Sequence, residues 1–353
     1  MNVNRFPVYK VEPPPLRQVL KYLELSWDAG QFTNGGPLVR LLEERIADHL
    51  SLPKESVVAV SNATLAIQGA LETCEPQSTP WLVPSWTFPA TYLAAHHSGQ
   101  KYEIVDVDSF GRLPEPEGTQ PCLEVWPFGM GESSWSFTGN RFMVIDAAAS
   151  FDALHGVGNR MQDTTAGTLS LHATKALAGT EGGIFFSTNS SWVERMRQWI
   201  NFGFSPESRA PSLLGTNAKM SDSDAAVALA SIDDWPKTRA EWMRLNFELT
   251  AFLSDLGYEV PPGLREPRAT NYLIIESNRI EFDELALATV GLETRRWWTP
   301  ANGLPLDLPT EVSSQYPNTN QLFSRWVGLP FFLSMDTRLW KERIREFTRV
   351  RNK

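Results

Sequence analysis

SLHATKALAGTEGG, residues 170–183, is the stretch on which the fold turns. It closes one apolar run, GTLSLHA (167–173), and leads into another, GGIFFST (182–188). Short runs of this kind bounded by glycines read as buried β-strands. The residues between them form a connection that carries Lys175. Surface lysines normally have polar neighbours, whereas Lys175 is flanked by apolar and small residues. Its amine is therefore a candidate to bond a carbonyl carbon. An exposed loop lysine is the plain alternative, since most lysines lie on the surface.

Working outward, the chain alternates strand and helix. VVAV (57–60) breaks at Ser61-Asn62-Ala63-Thr64 and is followed by the helical pattern TLAIQGALETC. WLVP (81–84) precedes SWTF and the helix PATYLAAHH. KYEIVDVD (101–108) and FMVID (142–146) are two more strands. This order predicts an α/β fold with a mostly parallel central sheet covered by helices. Ligands in such sheets sit beyond the carboxyl ends of the strands. Asp146, the Ser61 turn and the Trp86 region all fall there. Upstream, residues 17–29 and PLVRLLEERIADHL (37–50) read as helices around the turn-rich GQFTNGGP. Downstream, residues 192–203 read as helix, 204–215 as loop, and 222–257 as helix with a break at Pro236. That break predicts a boundary between a large domain with an N-terminal arm (1–235) and a smaller α+β C-terminal domain (236–353). Residues 113–140, rich in Pro, Gly and Ser, read as irregular.

The 353 residues are enough to bury a sizeable core. A net charge of −9 speaks against a nucleic-acid grip, which needs a basic footprint, and against a polybasic membrane patch. Two cysteines and five histidines, with His96 and His97 adjacent, give no metal-ligand spacing, so no metal is expected. MNVNRFPVYKVEPPP does not read as a signal peptide, and no segment has the apolar length of a membrane span. A cytoplasmic protein is expected.

Several residues carry chemistry when taken together. Asp146 ends a strand, where a carboxylate meets a ligand in the crevice and keeps a pyridine nitrogen protonated; capping a helix is its plainer role. Ser61 to Thr64 open a helix whose free amides and dipole suit a phosphate, although simple capping explains them too. Ser170 lies five residues before Lys175 and offers another hydroxyl. Trp86 and Phe88 occupy a strand-to-helix loop, where an aromatic can stack on a cofactor ring or pack in a core.

The motifs FTNGGP, VSNATLAIQGAL, VPSWTFPAT, VIDAAAS, SLHATKALAGTEGG, NFG and GTNAKMSDSDAAVALA, in this order, resemble the DegT/DnrJ/EryC1/StrS family of sugar aminotransferases that depend on pyridoxal 5'-phosphate. The resemblance runs from about residue 14 to about residue 329 and implies the aspartate-aminotransferase fold, fold type I. It implies that Lys175 bonds the cofactor and that Asp146 faces the pyridine nitrogen. Phe88 matches the stacking aromatic. Ala63, Thr64 and Ser170 match the phosphate contacts. Asn217 matches an asparagine that reaches the phosphate from a neighbouring subunit, which implies a homodimer with shared active sites. Substrate contacts are expected from Phe32, Asn34, Trp86, Glu181, Lys219 and Arg295, with Arg296 a further candidate. Three departures stand out: Ala149 where the family often has Gln or His, a compressed and aromatic-rich stretch before Asp146, and ALAG after the lysine.

The implied reaction moves an amino group from glutamate to a nucleotide-linked keto sugar, expected to be a 6-deoxy sugar. Relatives with His at the lysine position run dehydration; retention of Lys175 favours transamination. A sugar dehydratase or lyase of the same fold, or a regulatory homologue without turnover, are the alternatives. A nicotinamide dehydrogenase is disfavoured, because no GxGxxG turn follows the first strand.

Overall fold

The computed structural model describes residues 5–75, 77–138, 140–205, 210–266, 268–298 and 315–352. Its centre is a seven-stranded sheet made of β1 (Val57–Val60), β2 (Trp81–Pro84), β3 (Tyr102–Val105), β4 (Cys122–Val125), β5 (Met143–Asp146), β6 (Thr165–Ser170) and β7 (Gly183–Ser187). The strand order is β1-β7-β6-β5-β4-β2-β3. β7 runs antiparallel to both its neighbours, and the remaining pairings are parallel. All residues of β1, β2, β4, β5, β6 and β7 are buried, as continuous apolar runs require when helices cover both faces.

One face carries α1 (Leu16–Ala29), α2 (Pro37–Leu50) and the long α6 (Asp222–Asp255); the other carries α3 (Ala63–Thr73) and α5 (Ser190–Trp199), with α4 (Pro89–His97) against α3. The turn GQFTNGGP is fixed by a buried carboxylate. Asp222 accepts hydrogen bonds from Ser26 Oγ (2.7 Å) and from the Leu38 and Val39 amides (3.2 Å each), which serve as N-terminal donors of α2. The C-terminal part pairs β8 (Ile274–Glu276) antiparallel with β9 (Trp326–Gly328), packed with α7 (Ile280–Thr289), α8 (Pro317–Arg325) and α9 (Thr337–Arg351).

Two expectations are corrected. Residues 113–140 are not wholly irregular: they contain β4, which lies inside the sheet between β2 and β5. The charge of Glu124 interrupts an otherwise apolar run. In the fold it is fully buried, accepting from Ser136 Oγ at 2.8 and 2.9 Å to its two oxygens and from the Ser133 amide at 3.4 Å. The helix 222–257 does not break at Pro236. α6 continues through it, because Trp235, Trp242, Leu245 and Leu249 hold the helix in the core on either side of the proline. Tertiary burial outweighs one lost backbone hydrogen bond there.

Candidate active site

The carboxyl ends of β1, β2, β5 and β6 open on a cavity of about 350 Å³. Lys175, Asp146, Thr64, Ser170 and Phe88 all line it. Lys175 is half-buried rather than fully enclosed. Its loop is tied by hydrogen bonds: Lys175 N donates to His172 O (2.9 Å), Ala173 N to Thr180 O (3.0 Å), and Thr174 Oγ1 pairs with His172 Nδ1 (2.8 Å). His172 in turn faces Glu181 at 3.5 Å. The backbone under the amine is thus fixed while its side chain reaches into open space.

Asp146 is buried at the end of β5. Thr91 Oγ1 donates to Oδ2 (2.7 Å), and the Ala148 amide donates to Oδ1 (3.1 Å). Thr87 Oγ1 lies 2.7 Å from Thr91 Oγ1 and completes a short chain of hydroxyls. Burial pushes the Asp146 carboxyl above its ordinary range, opposed by Thr91, the Ala148 amide and the charge of Lys175. A cationic group placed beside it would offset that burial.

Asn62 caps α3 by accepting from the Leu65 amide at 2.9 Å, leaving the amides of Ala63 and Thr64 at the helix's open first turn. Gly183 lets this turn approach the sheet: a Cβ there would lie 2.4 Å from the Asn62 carbonyl carbon. The EGG triplet and the helix start are therefore one packing unit. With Ser170 across the cavity, this corner suits a phosphate group. A phosphate corner, a buried carboxylate without a hydrogen-bonded cation and a lysine on one cavity fit pyridoxal phosphate. Phe88 is 54% exposed, free to cover a flat ring.

The opposite wall is aromatic. Phe128, from the loop after β4, stacks on Trp298 (centroids 5.0 Å, planes 3° apart) and packs against Tyr272 and Trp297. These four residues and Trp126 line the cavity. Trp86 does not; it is fully buried behind them, donating from Nε1 to Trp297 O (2.8 Å), so its expected substrate contact is replaced by a core role. Arg295 lines the cavity, whereas Arg296 forms an ion pair with Glu284. Phe32, Asn34, Asn217 and Lys219 lie outside this cavity in the single chain. Phe32 packs edge-on against Trp27 (5.2 Å), Asn217 is exposed, and Lys219 Nζ sits 4.5 Å over the Phe202 ring. Thr87, Thr91, Ala148 and the aromatic wall were not anticipated from the sequence. The paired hydroxyls in TFPAT were the one available signal, with Thr87 just before α4 and Thr91 in its first turn.

The chain is 28% identical over 243 residues to dTDP-4-amino-4,6-dideoxy-D-glucose transaminase of Shigella dysenteriae, covering 64% of this chain and 65% of that protein. It is 26% identical over 250 residues to the protein of the same name from Escherichia coli, covering 66% and 65%. The matched part thus spans just under two thirds of these relatives. Among solved structures, DesI in the presence of its TDP-sugar product superposes with a TM-score of 0.83 at 26% identity, over 99% of this chain and 94% of that one. NtdA from Bacillus subtilis, with PMP bound, has the same fold at 19% identity and a TM-score of 0.82, over 99% and 86%. The fold is that of the pyridoxal-phosphate aminotransferases. A family model matches residues 17–118 and 142–345, most of the chain, and by that match the protein belongs to the DegT/DnrJ/EryC1/StrS aminotransferase family.

Proposed function

We propose that this chain is a pyridoxal-phosphate aminotransferase that moves an amino group from glutamate to a nucleotide-linked keto sugar, a 6-deoxy hexose. The observation that carries the reading is the shared cavity of Lys175, Asp146 and the Thr64–Ser170 corner. The sugar class rests on the named relatives of 28% and 26% identity.

Bound pyridoxal phosphate supplies an aldehyde to carry the amine and a ring that accepts the electron pair released at the substrate carbon. The chain's residues do the rest. Ala63 and Thr64 amides, with the Thr64 and Ser170 hydroxyls, hold the phosphate. Asp146, fixed by Thr91 and Ala148, accepts from the ring nitrogen and keeps its proton on. Phe88 covers one ring face. Lys175 would hold the cofactor's aldehyde carbon, and its amine, when free, would carry the proton at the substrate carbon as base and then acid. Trp126, Phe128 and Trp298 exclude water from the reacting side. Arg295, on the same cavity, meets a substrate anion. Donor and acceptor take turns in one site, so ping-pong kinetics follow.

A second copy completes the site. Phe32, Asn34, Asn217 and Lys219 lie outside the single-chain cavity, and Trp27, Leu16 and Phe32 leave apolar surface exposed. In the proposed homodimer Asn217 reaches the partner's phosphate corner. The enzyme works in the cytoplasm; among the described residues no helix is long and apolar enough to cross a membrane. The proposed lobes remain residues 1–235 and 236–353, which places their boundary within the continuous α6.

The test is spectroscopic. Purified protein with pyridoxal phosphate should display a visible band that glutamate bleaches and a dTDP-linked 4-keto-6-deoxyhexose restores, with formation of the amino sugar. A stable band that no amino donor bleaches would favour a binding protein; loss of a sugar hydroxyl without amine would favour the dehydratase.

A further inference from the structure

The loop that carries Lys175 also carries an imidazole whose proton has a fixed place. His172 and Glu181 line the cavity together with Lys175 and Ser170. The Thr174 amide donates to His172 Nδ1 at 3.2 Å, and Thr174 Oγ1 lies 2.8 Å from the same atom. An amide can only donate, so Nδ1 carries no proton. The neutral ring therefore holds its one hydrogen on Nε2, the nitrogen that faces Glu181 Oε1 at 3.5 Å. That separation is at the outer edge of hydrogen-bond range, and such contacts commonly tighten when a site closes on its substrate.

Glu181 is fixed through its neighbours rather than through its own carboxylate. On one side Thr180 O receives the Ala173 amide (3.0 Å) and Thr180 Oγ1 donates to Asp224 Oδ1 (2.5 Å). On the other, Gly182 O receives the Leu171 amide (2.9 Å). The Glu181 side chain stays 60% exposed, and among the described residues His172 is its one polar partner. Lys175 and Arg295, the cations of the same cavity, form no ion pair with it. A neutral N–H thus turns one carboxylate oxygen and leaves the other to a ligand.

We propose that His172 is a positioning residue, and that the carboxylate it turns, Glu181, accepts a hydroxyl hydrogen of the acceptor sugar. This rests on the sugar-aminotransferase reading above and names what separates the two substrates of one site. An ionised carboxylate only accepts hydrogen bonds. A sugar ring brings hydroxyls that donate to it. Glutamate brings two carboxylates that it repels, and the donor's amine is committed to the aldehyde carbon. Glu181 thus favours the acceptor by attraction and disfavours the donor by charge. The aromatic wall shapes which sugar fits, and Glu181 gives that sugar its polar contact. A neutral imidazole suits the supporting role because it orients the carboxylate without neutralising it, as lysine or arginine would.

The experiment reads binding apart from turnover. Enzyme loaded with pyridoxal phosphate has no cofactor amine to exchange with a ketone. Its equilibrium with a dTDP-linked 4-keto-6-deoxyhexose can be measured by calorimetry, with dTDP alone as the control. Two variants remove the contact: Glu181→Gln, and His172→Phe, which keeps a flat ring without an N–H. Each should weaken the sugar nucleotide by about 10-fold, as loss of a hydrogen bond to a charged group does, while dTDP stays within about threefold. The double variant should match Glu181→Gln within about threefold, because His172 acts through the carboxylate. His172→Gln restores a side-chain N–H and should bind the sugar nucleotide more tightly than His172→Phe. The visible cofactor band should persist in every variant. Equal weakening of dTDP, multiplied losses in the double variant, a His172→Gln no better than His172→Phe, or loss of the band with His172 would each overturn the inference. A parent chain that glutamate does not bleach, or that binds neither dTDP compound, would sink the proposed function itself. A parent that does both, with sugar binding indifferent to residues 172 and 181, sinks only this inference.

Discussion

The two walls of the cavity differ in origin. The wall of Thr64, Asp146, Ser170 and Lys175 comes from strand ends and helix starts inside the family-matched segments, and each residue sits in a short motif. The facing wall depends on Trp126 and Phe128 from residues 119–141, which the family match leaves out, joined by Tyr272, Trp297 and Trp298 from more than a hundred residues away. One wall carries an amine, a carboxylate, hydroxyls and a helix start. The other carries rings that shape space. Under the proposed function, the chemical step belongs to the first wall and the choice of acceptor to the second.

The largest effect should come from the chemical wall. Lys175→Ala removes both the bonding amine and the proton carrier, and the glutamate half-reaction should fall by at least about 10²–10⁴-fold in stopped-flow absorbance. Asp146→Asn should slow the same step by about 10²–10³-fold while leaving acceptor KM nearly unchanged.

Asp146 also gives a signed pH prediction. Its folded pKa lies above the unfolded one because of burial. Its contribution to apoprotein stability is therefore fully present below the ordinary carboxylate range and is lost as pH rises through the raised value. Asp146→Asn apoprotein should match the parent in thermal melting at acid pH and melt at or above it near neutrality. A parent that gains on the variant as pH rises would contradict the account.

The aromatic wall should respond differently. Trp298→Leu should raise acceptor KM by about 10-fold or more, as loss of shape and stacking area does, with little change in the glutamate half-reaction. If the donor half-reaction falls as far as the acceptor half-reaction, the division between the walls fails. The smallest effect on turnover belongs to Arg296→Ala. It breaks a part-buried pair with Glu284 outside the cavity lining, so stability should drop by about 1–3 kcal/mol in chemical denaturation and turnover should hold.

The sequence was most legible where function and local structure use the same few residues. SLHATK joins a strand end to a loop, and VIDAAAS ends a strand in a carboxylate, so position along the chain already implied position in the crevice. It was least legible where burial depends on distant partners. CLEV hid as a strand because Glu124 breaks its apolar run, and the Ser133 amide and Ser136 hydroxyl that satisfy it come nine and twelve residues later. Pro236 reads as a helix breaker, yet the core holds α6 on both sides of it. By composition alone SWTF does not separate Trp86 from Phe88, and only the resemblance singled out Phe88; in the fold Trp86 is buried in the aromatic core and Phe88 borders the cavity. Asn217 and Lys219 lie outside the cavity of one chain, and their proposed roles require a second copy.

One measurement bears most directly on the account. Protein loaded with pyridoxal phosphate should be reduced with borohydride, digested, and its cofactor-bearing peptide sequenced by mass spectrometry. The label is predicted on Lys175 alone, and absent from Lys175→Ala. A label on Lys219, Lys10 or another lysine, or no label despite a bound cofactor, would contradict the assignment of this cavity.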